Sequence, residues 1–299
     1  MFKEELMVIL NPAAGRGDGG RRAPLLREAL TAAGLRFQEV RTSRQWEAAE
    51  LAERAARQGY PVVAAAGGDG TVHEVVNGLL AAANSRTCLA IFAIGSGSDF
   101  AHALGLPRDI SQAVRLLIEA RVRQVDVGRA NERYFVNSLG AGFDALVAIE
   151  SRKVRLLRGF LIYLVAVFRT LRDYHLPIAR IELDGVRREL TITLIEVANG
   201  PRAGGGFLIA PQAQVDDGLF DICLARGLNR LEILRLLPEV IRGTHIDKEP
   251  VTMARARRVL IESEDPLPVH VDGEILDAAA HRLLIEILPG RLCIIGVPL

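Results

Sequence analysis

The sharpest chemistry in this chain lies in Gly67-Gly68-Asp69-Gly70-Thr71. It follows an apolar run, 61–66, and opens a stretch with helical spacing, 71–83. Glycines let a backbone approach a ligand closely and take φ above zero. The free N–H groups at the start of a helix then bind phosphate. A carboxylate at Asp69 would repel phosphate directly, and makes sense with a Mg²⁺ ion between them. Two further turns have the same character. Asn11-Pro12-Ala13-Ala14-Gly15-Arg16-Gly17 follows the first apolar run, and Gly95-Ser96-Gly97-Ser98-Asp99 follows the fourth. Asn11, Ser96 and Ser98 offer neutral hydrogen bonds, and Arg16 offers charge for a phosphate. In a parallel sheet all three turns lie at carboxyl ends of strands, where α/β folds bind ligands, so together they outline a nucleotide cleft.

The elements that would position these turns alternate. Apolar runs at 6–10, 37–42, 61–66 and 89–94 read as strands, and amphipathic stretches at 21–33, 45–58 and 71–83 read as helices. That rhythm predicts a parallel sheet covered on both faces, a Rossmann-like α/β nucleotide domain. The pattern changes near Asp126. Strand signals crowd at 133–139, 178–183, 189–198, 219–225, 251–262 and 282–288, with Asp184-Gly185 as a hairpin signal between two of them. Two helices interrupt, at 154–172 and 231–242. The expected architecture is an α/β domain at 1–127 and a mainly antiparallel β-sandwich domain at 128–289. The last run, 290–299, has the length to return to the first domain as a strand.

Composition narrows the class. The chain has 299 residues, 49% hydrophobic and 24% charged, with a formal net charge of +1. No broad positive field draws in nucleic acid, so any basic site must be local. Cys88, Cys223 and Cys293 lie far apart, which suggests neither a disulfide framework nor a zinc cluster and suits a reducing compartment. The six histidines are dispersed without metal-ligand spacing. The first ten residues are too short an apolar stretch for a leader. The longest apolar run, 159–168, falls short of the roughly 20 residues a membrane span needs. The expectation is a cytoplasmic protein with no transmembrane segment.

The ordered set of motifs resembles the diacylglycerol kinase catalytic family, and within it the bacterial lipid kinases related to sphingosine kinases. The resemblance rests on Asn-Pro-x-x-Gly at 11–15, Gly-Gly-Asp-Gly-Thr at 67–71, Asp99-Phe100-Ala101, Asp126-Val127-Gly128, the segment 137–144, Val-Ala-Asn-Gly at 197–200, the segment 210–218, and Asp272-Gly273-Glu274. It implies that Asn11, Pro12, Ala13, Ala14 and Gly15, Thr42, the segment Gly67, Gly68, Asp69, Gly70, Thr71, Val72 and His73, and Ser96 bind ATP. It implies that Asp69 holds the catalytic Mg²⁺–phosphate geometry and that Glu274 takes the proton from a lipid hydroxyl. Asp217, with the carbonyls of Gln214 and Leu219, would hold a second, structural Mg²⁺. Arg16, Arg21, Asp99, Asp126 and Asp272 would form a charged network around the active-site metal. One departure stands out: the family usually has Asn before the Asp99 position and often Thr at the Ser96 position, where this chain has Ser98 and Ser96.

Phosphoryl transfer asks a protein for positioned phosphates, a metal and an oriented nucleophile. From residues alone, Asp272-Gly273-Glu274 and Asp216-Asp217-Gly218 read as ordinary turns, and only the resemblance gives them a catalytic and a metal-binding role. The expectation is a lipid kinase using ATP and Mg²⁺ at the inner membrane face. A kinase of a soluble acceptor, as in NAD kinase, and an inactive nucleotide-binding regulator stay open as alternatives. The run 159–168, flanked by Arg155, Arg158, Arg169 and Arg172, reads either as a buried helix or as one lining a lipid pocket or touching the bilayer. A homodimer is open to the chain, since two-fold homo-oligomers are the commonest assembly.

Overall fold

The computed structural model describes residues 5–82, 86–95, 97–154, 160–172 and 174–298. Ser96, Arg155, Arg158 and Gly159, all of interest in the sequence, lie outside the described residues. The chain divides into two compact units, Met1–Val125 with Gly290–Leu299, and Asp126–Pro289. Among the described residues, no helix is long and apolar enough to cross a membrane.

The first unit alternates strand and helix: β1 (Leu6–Leu10), α1 (Ala14–Ala32), β2 (Phe37–Arg41), α2 (Glu47–Arg57), β3 (Val62–Gly67), α3 (Asp69–Ala81), β4 (Cys88–Ala93), α4 (Asp99–Ala103) and α5 (Ile110–Glu119). Strands β1 and β3 are buried along their whole length, as uninterrupted apolar runs require when helices cover both faces. The strands pair in parallel in the order β4-β3-β1-β2, so their carboxyl ends share one edge. Helix α5 is capped by Asp109, whose side chain accepts from the Gln112 N–H at 2.8 Å. It buries Ile110, Ala113, Val114 and Leu117, one face at helical spacing, in a core shared with Leu6, Leu26 and Phe92.

The second unit begins within β5 (Val122–Ala130), which crosses the boundary, and continues with β6 (Arg133–Phe135), β7 (Ser138–Gly142), α6 (Phe143–Ser151), α7 (Phe160–Thr170), β8 (Ile178–Leu183), β9 (Val186–Ala198), β10 (Phe220–Arg226), α8 (Arg230–Arg242), β11 (Val251–Ala256), β12 (Arg258–Val271) and β13 (Glu274–Ile295). Its strands pair antiparallel throughout the order β11-β10-β9-β7-β12-β13. Strands β9 and β12 each pair with β8 at one end and β7 at the other. Asp184-Gly185 closes the β8–β9 hairpin with φ of 46° and 90°, both left-handed, the geometry a two-residue turn of this kind needs. Phe135 stacks on Phe220 at 5.7 Å in the core.

The structure departs from the sequence reading in several places, among them helices α4 and α5, which that reading did not include. The run 251–262 is two strands, because the Asp184 carboxylate accepts from the N–H groups of Arg257 and Arg258 and breaks the ladder there. Helix α6 had no sequence signal: it leaves β7 directly at Gly142, with no side-chain cap. Cys88 and Cys293, which spacing left unpaired, form a disulfide with Cα atoms 4.7 Å apart. The end of β13 lies parallel to β4, with Ile294 opposite Leu89, and this brings the two sulfurs together. Cys223 is a buried free thiol, its pKa pushed up to about 12 by burial and by the nearby Glu196 and Asp144 carboxylates.

Candidate active site

In the first unit the glycine turns converge at the carboxyl edge of the sheet. Asn11 follows β1; its backbone N–H donates to Ala66 O at 3.0 Å, and its side-chain amide donates to Thr71 Oγ1 at 3.0 Å. The first turn is thereby tied to the start of α3. The Asn11 Oδ1 also accepts from the Ala13 N–H at 3.0 Å. Gly15, Arg16 and Gly17 are all left-handed, with φ of 59°, 58° and 91°, which bends the chain sharply before α1 straightens. For Arg16 that backbone state is a strained one, of the sort that clusters at functional sites. Thr42 sits at the carboxyl end of β2, with its N–H on Leu10 O at 2.9 Å.

The turn after β3 packs against the turn after β4. The Gly67 carbonyl accepts from the N–H groups of Ile94 and Gly95, at 2.9 and 3.0 Å. Backbone meets backbone so closely that a Cβ on Gly95 would stand 2.3 Å from Gly68 Cα. Gly68 is the N-cap of α3, and Asp69, Gly70 and Thr71 form its first turn. Asp69 Oδ1 accepts from the Phe100 N–H at 3.3 Å, linking it to α4, where Asp99 is the first residue. Val72 and His73 are buried on α3, and His73 meets the Trp46 ring edge-on at 5.6 Å. Arg21 pairs with Asp18 one turn away. A carboxylate beside helix N–H groups supplies hard oxygen donors next to a phosphate cradle, which is the donor chemistry Mg²⁺ takes.

In the second unit the other expected residues have defined partners. Asp272 and Gly273 form the tight turn between β12 and β13, with φ of 50° and 81°. The Asp272 carboxylate accepts from the N–H groups of Val136, Asn137 and Ser138, at 3.1, 2.8 and 3.1 Å, pinning the turn onto β7. Glu274 opens β13 and forms an ion pair with Arg152, at 2.7 Å, just past the end of α6. Asp126 accepts from the Gly218 N–H at 2.7 Å. Asp217 accepts from the Leu219 N–H at 3.1 Å and pairs with Arg255. Both Asp217 oxygens are thus engaged by chain donors, and Arg255 already balances its charge, so this set fits a second metal ion less well than the Asp69 set fits the first.

One cluster escaped the sequence reading, which gave His270 no partner. Asp144 on α6, Glu196 on β9 and His270 on β12 bring ligand atoms within 4.8 Å of one another. Each comes from a different segment, so no spacing could have announced them. Burial and the Asp144 charge together raise the Glu196 carboxyl well above the usual range, so it holds its proton. Burial would raise Asp144 too, but the neighbouring His270 holds it low. Burial alone would lower the His270 pKa; the Asp144 carboxylate reverses that and draws it toward about 9. Against this, the Gly273 N–H points at His270 Nδ1 from 3.3 Å, and a ring proton there would meet another proton. The neutral ring carrying its proton on Nε2, toward Asp144, satisfies both contacts.

Glycine turns at the carboxyl edge of a parallel sheet, a carboxylate at a helix start and a separate β-rich unit define a nucleotide-dependent phosphotransferase. Residues 5–130 match the diacylglycerol kinase catalytic domain, and residues 137–296 match the YegS C-terminal NAD kinase beta sandwich-like domain. The chain is 31% identical to the diacylglycerol kinase of Bacillus subtilis (strain 168), over 89% of this chain and 88% of that protein. It is 33% identical to a Chromohalobacter salexigens protein named "Probable lipid kinase YegS-like", over 83% and 81% of the two chains. A crystal structure of a diacylglycerol kinase from Bacillus anthracis str. Sterne superposes with a TM-score of 0.76 at 26% identity, covering 99% of this chain and 98% of that one. The chain belongs to the diacylglycerol kinase family, and it is an ATP-dependent lipid kinase.

Proposed function

We propose that this kinase transfers the γ-phosphoryl group of Mg-ATP to the hydroxyl of a diacylglycerol-like or sphingoid-like lipid, with Glu274 as the base and Asp69 as the metal-holding carboxylate. The observation that carries the lipid acceptor is an apolar cavity inside the second unit. Phe143, Val147, Tyr163, Val167, Phe207 and Leu237 contribute to its wall, and Asp144 is one of its few polar groups. A hydrocarbon chain suits such a lining, because apolar burial is the main favourable term available there.

The chain's own groups divide the work. The N–H groups at the start of α3 and the turn at 11–17 orient the phosphates, and Asn11 locks those two elements together through Thr71. Asp69 and Asp99 stand at the first turns of α3 and α4 as oxygen donors. Bound there, Mg²⁺ would supply charge neutralisation for the transferring phosphoryl group. Glu274, aimed by Arg152, would accept the proton of the lipid hydroxyl as its oxygen attacks phosphorus.

Peripheral attachment to the inner face of the membrane is part of the proposal. Leu161 and Phe168, seven residues apart on one face of α7, are 52% and 55% exposed, and Arg169 follows them. An apolar face bordered by arginine suits an anionic lipid surface. A two-fold dimer rests on the general frequency of such assemblies alone. The test is ADP release from Mg-ATP with a panel of lipids in mixed micelles, comparing the wild type with Asp69→Ala and Glu274→Ala. Lipid-dependent turnover, lost in both variants, supports the reading; turnover without any lipid, or an undiminished rate in Glu274→Ala, overturns it.

A further inference from the structure

Three adjacent strands of the second unit put an unusual row of residues side by side. Gly140 on β7 is opposite Glu196 on β9 and opposite His270 on β12. Residues paired across neighbouring strands project from the same face of a sheet. Gly140 has no side chain, and the space above it is filled by its neighbours. A Cβ there would lie 2.7 Å from Glu196 Oε2, 2.5 Å from His270 Nε2 and 2.1 Å from the Asp144 carboxylate, which enters from the first turn of α6.

Two members of the cluster are shut off from water, and the third, Asp144, keeps 21% of its side chain exposed. Glu196 is fully buried and His270 is 4% exposed. Neither Glu196 oxygen has a donor in good hydrogen-bond geometry, the Ser138 hydroxyl being a weak neighbour, and a proton on Glu196 itself makes the link to Asp144. Asp144 in turn accepts a hydrogen bond from the His270 Nε2–H, and His270 Nδ1 accepts from the Gly273 N–H at 3.3 Å. The chain of contacts therefore ends at the Asp272–Gly273 peptide, one residue before Glu274. The same helix that carries Asp144 in its first turn leads into Arg152, which holds the Glu274 carboxylate.

The three ligand atoms would also suit the spacing of a metal ion. The Gly273 N–H decides against that. A metal on Nε2 needs the ring proton on Nδ1, where it would face the Gly273 proton.

We propose that Glu196, Asp144 and His270 form a positioning chain that fixes the Asp272–Gly273 turn ahead of Glu274 by holding the Gly273 N–H. Its middle member, Asp144, also lines the wall of the apolar cavity. It acts on the base through the backbone and touches no reacting atom. This inference rests on the reading of Glu274 as the base, and its test is built to fail separately from that reading.

Two isosteres of His270 split its two hydrogen bonds. His270→Asn keeps an acceptor at the Nδ1 position and loses the contact with Asp144. His270→Gln keeps a donor at the Nε2 position and loses the acceptor for Gly273. Each variant is measured for folding, for kcat and KM with Mg-ATP and a lipid acceptor, and for exchange of the Gly273 amide hydrogen. The expected result is a His270→Gln protein with Gly273 exchange at least tenfold faster and kcat lowered about tenfold or more. Its KM for ATP is unchanged, and His270→Asn, which keeps the Gly273 contact but loses the link to Asp144, shows a smaller defect in both properties. Gly273 exchange at the wild-type rate in folded His270→Gln, or wild-type exchange and kcat in His270→Asn, overturns the positioning chain. Glu274→Gln is run beside them: full activity there removes Glu274 as the base, while the Gly273 exchange rates still decide whether the chain holds the turn.

Discussion

Substituting Gly95 by alanine perturbs the nucleotide turns without touching a polar group. Its added Cβ would lie 2.3 Å from Gly68 Cα and 3.0 Å from Gly68 N, where ordinary contact begins at 3.4 Å. Both close atoms are backbone, so no side chain can swing aside, and the two turns must part by roughly 1 Å. Overpacking of this kind costs about 1–3 kcal/mol of stability. The effect on rate is larger than that suggests, because Gly68 is the cap of α3 and its displacement moves the N–H groups that orient phosphate. A misplacement of about 1 Å at a reacting centre costs on the order of 100-fold in rate. The assay is ADP release at saturating lipid, giving kcat/KM for Mg-ATP, together with a thermal melt. Gly34→Ala is the control: Gly34 has φ of +68° with nothing within 4 Å of an added Cβ. It should lose about 1 kcal/mol to the left-handed backbone alone and keep its rate. A Gly95→Ala enzyme with wild-type kcat/KM would refute the idea that the contact between the turns sets the phosphate site.

Glu196 is protonated in the fold because burial, and then the Asp144 charge, raise its carboxyl. A raised folded value means stability that is complete below the unfolded carboxyl pKa, about 4.3, and is lost as pH rises through the folded value. Glu196→Gln keeps the neutral shape, so its melting temperature should fall less than that of the wild type toward alkaline pH in parallel melts. Asp272→Ala strips the acceptor from three backbone N–H groups, and should lower stability by on the order of 3 kcal/mol in urea unfolding. The disulfide predicts one reactive thiol, Cys223, in protein denatured without reductant and three after reduction. Cys293→Ser should cost about 2–5 kcal/mol, seen as a lower melting temperature under oxidising conditions only.

Local signals and distant ones were unequally readable. The apolar runs of β1 and β3, and the glycines at their ends, report on their own immediate backbone, and the sequence reading located them. Asp184-Gly185 announced its hairpin because two consecutive left-handed residues need that pair of types. The break at Arg257 was invisible, since its cause is the Asp184 carboxylate, over seventy residues away. Helix α6 begins at Gly142-Phe143-Asp144 without a capping side chain, so nothing marked its start. The Asp144–Glu196–His270 cluster and the Cys88–Cys293 pair exist only once strand register is known. Asp272 shows the same limit from the other side: its place in a turn was legible, but its grip on three N–H groups of a strand more than 130 residues earlier was not.

Strand β13 begins in the second unit and ends in the first, where Ile294 pairs with Leu89 and Cys293 with Cys88. That arrangement gives synthesis on the ribosome a fixed order. Residues 6–125 emerge early, yet the outer edge of β4 stays open until 290–295 have been made, a bare strand edge of the kind that invites mispairing. The intervening unit, 126–289, has all its residues available sooner and can close first. The nascent nucleotide unit is thus the part of this kinase with the longest exposure to chaperones and to its own copies on neighbouring ribosomes, although its residues are the first to appear.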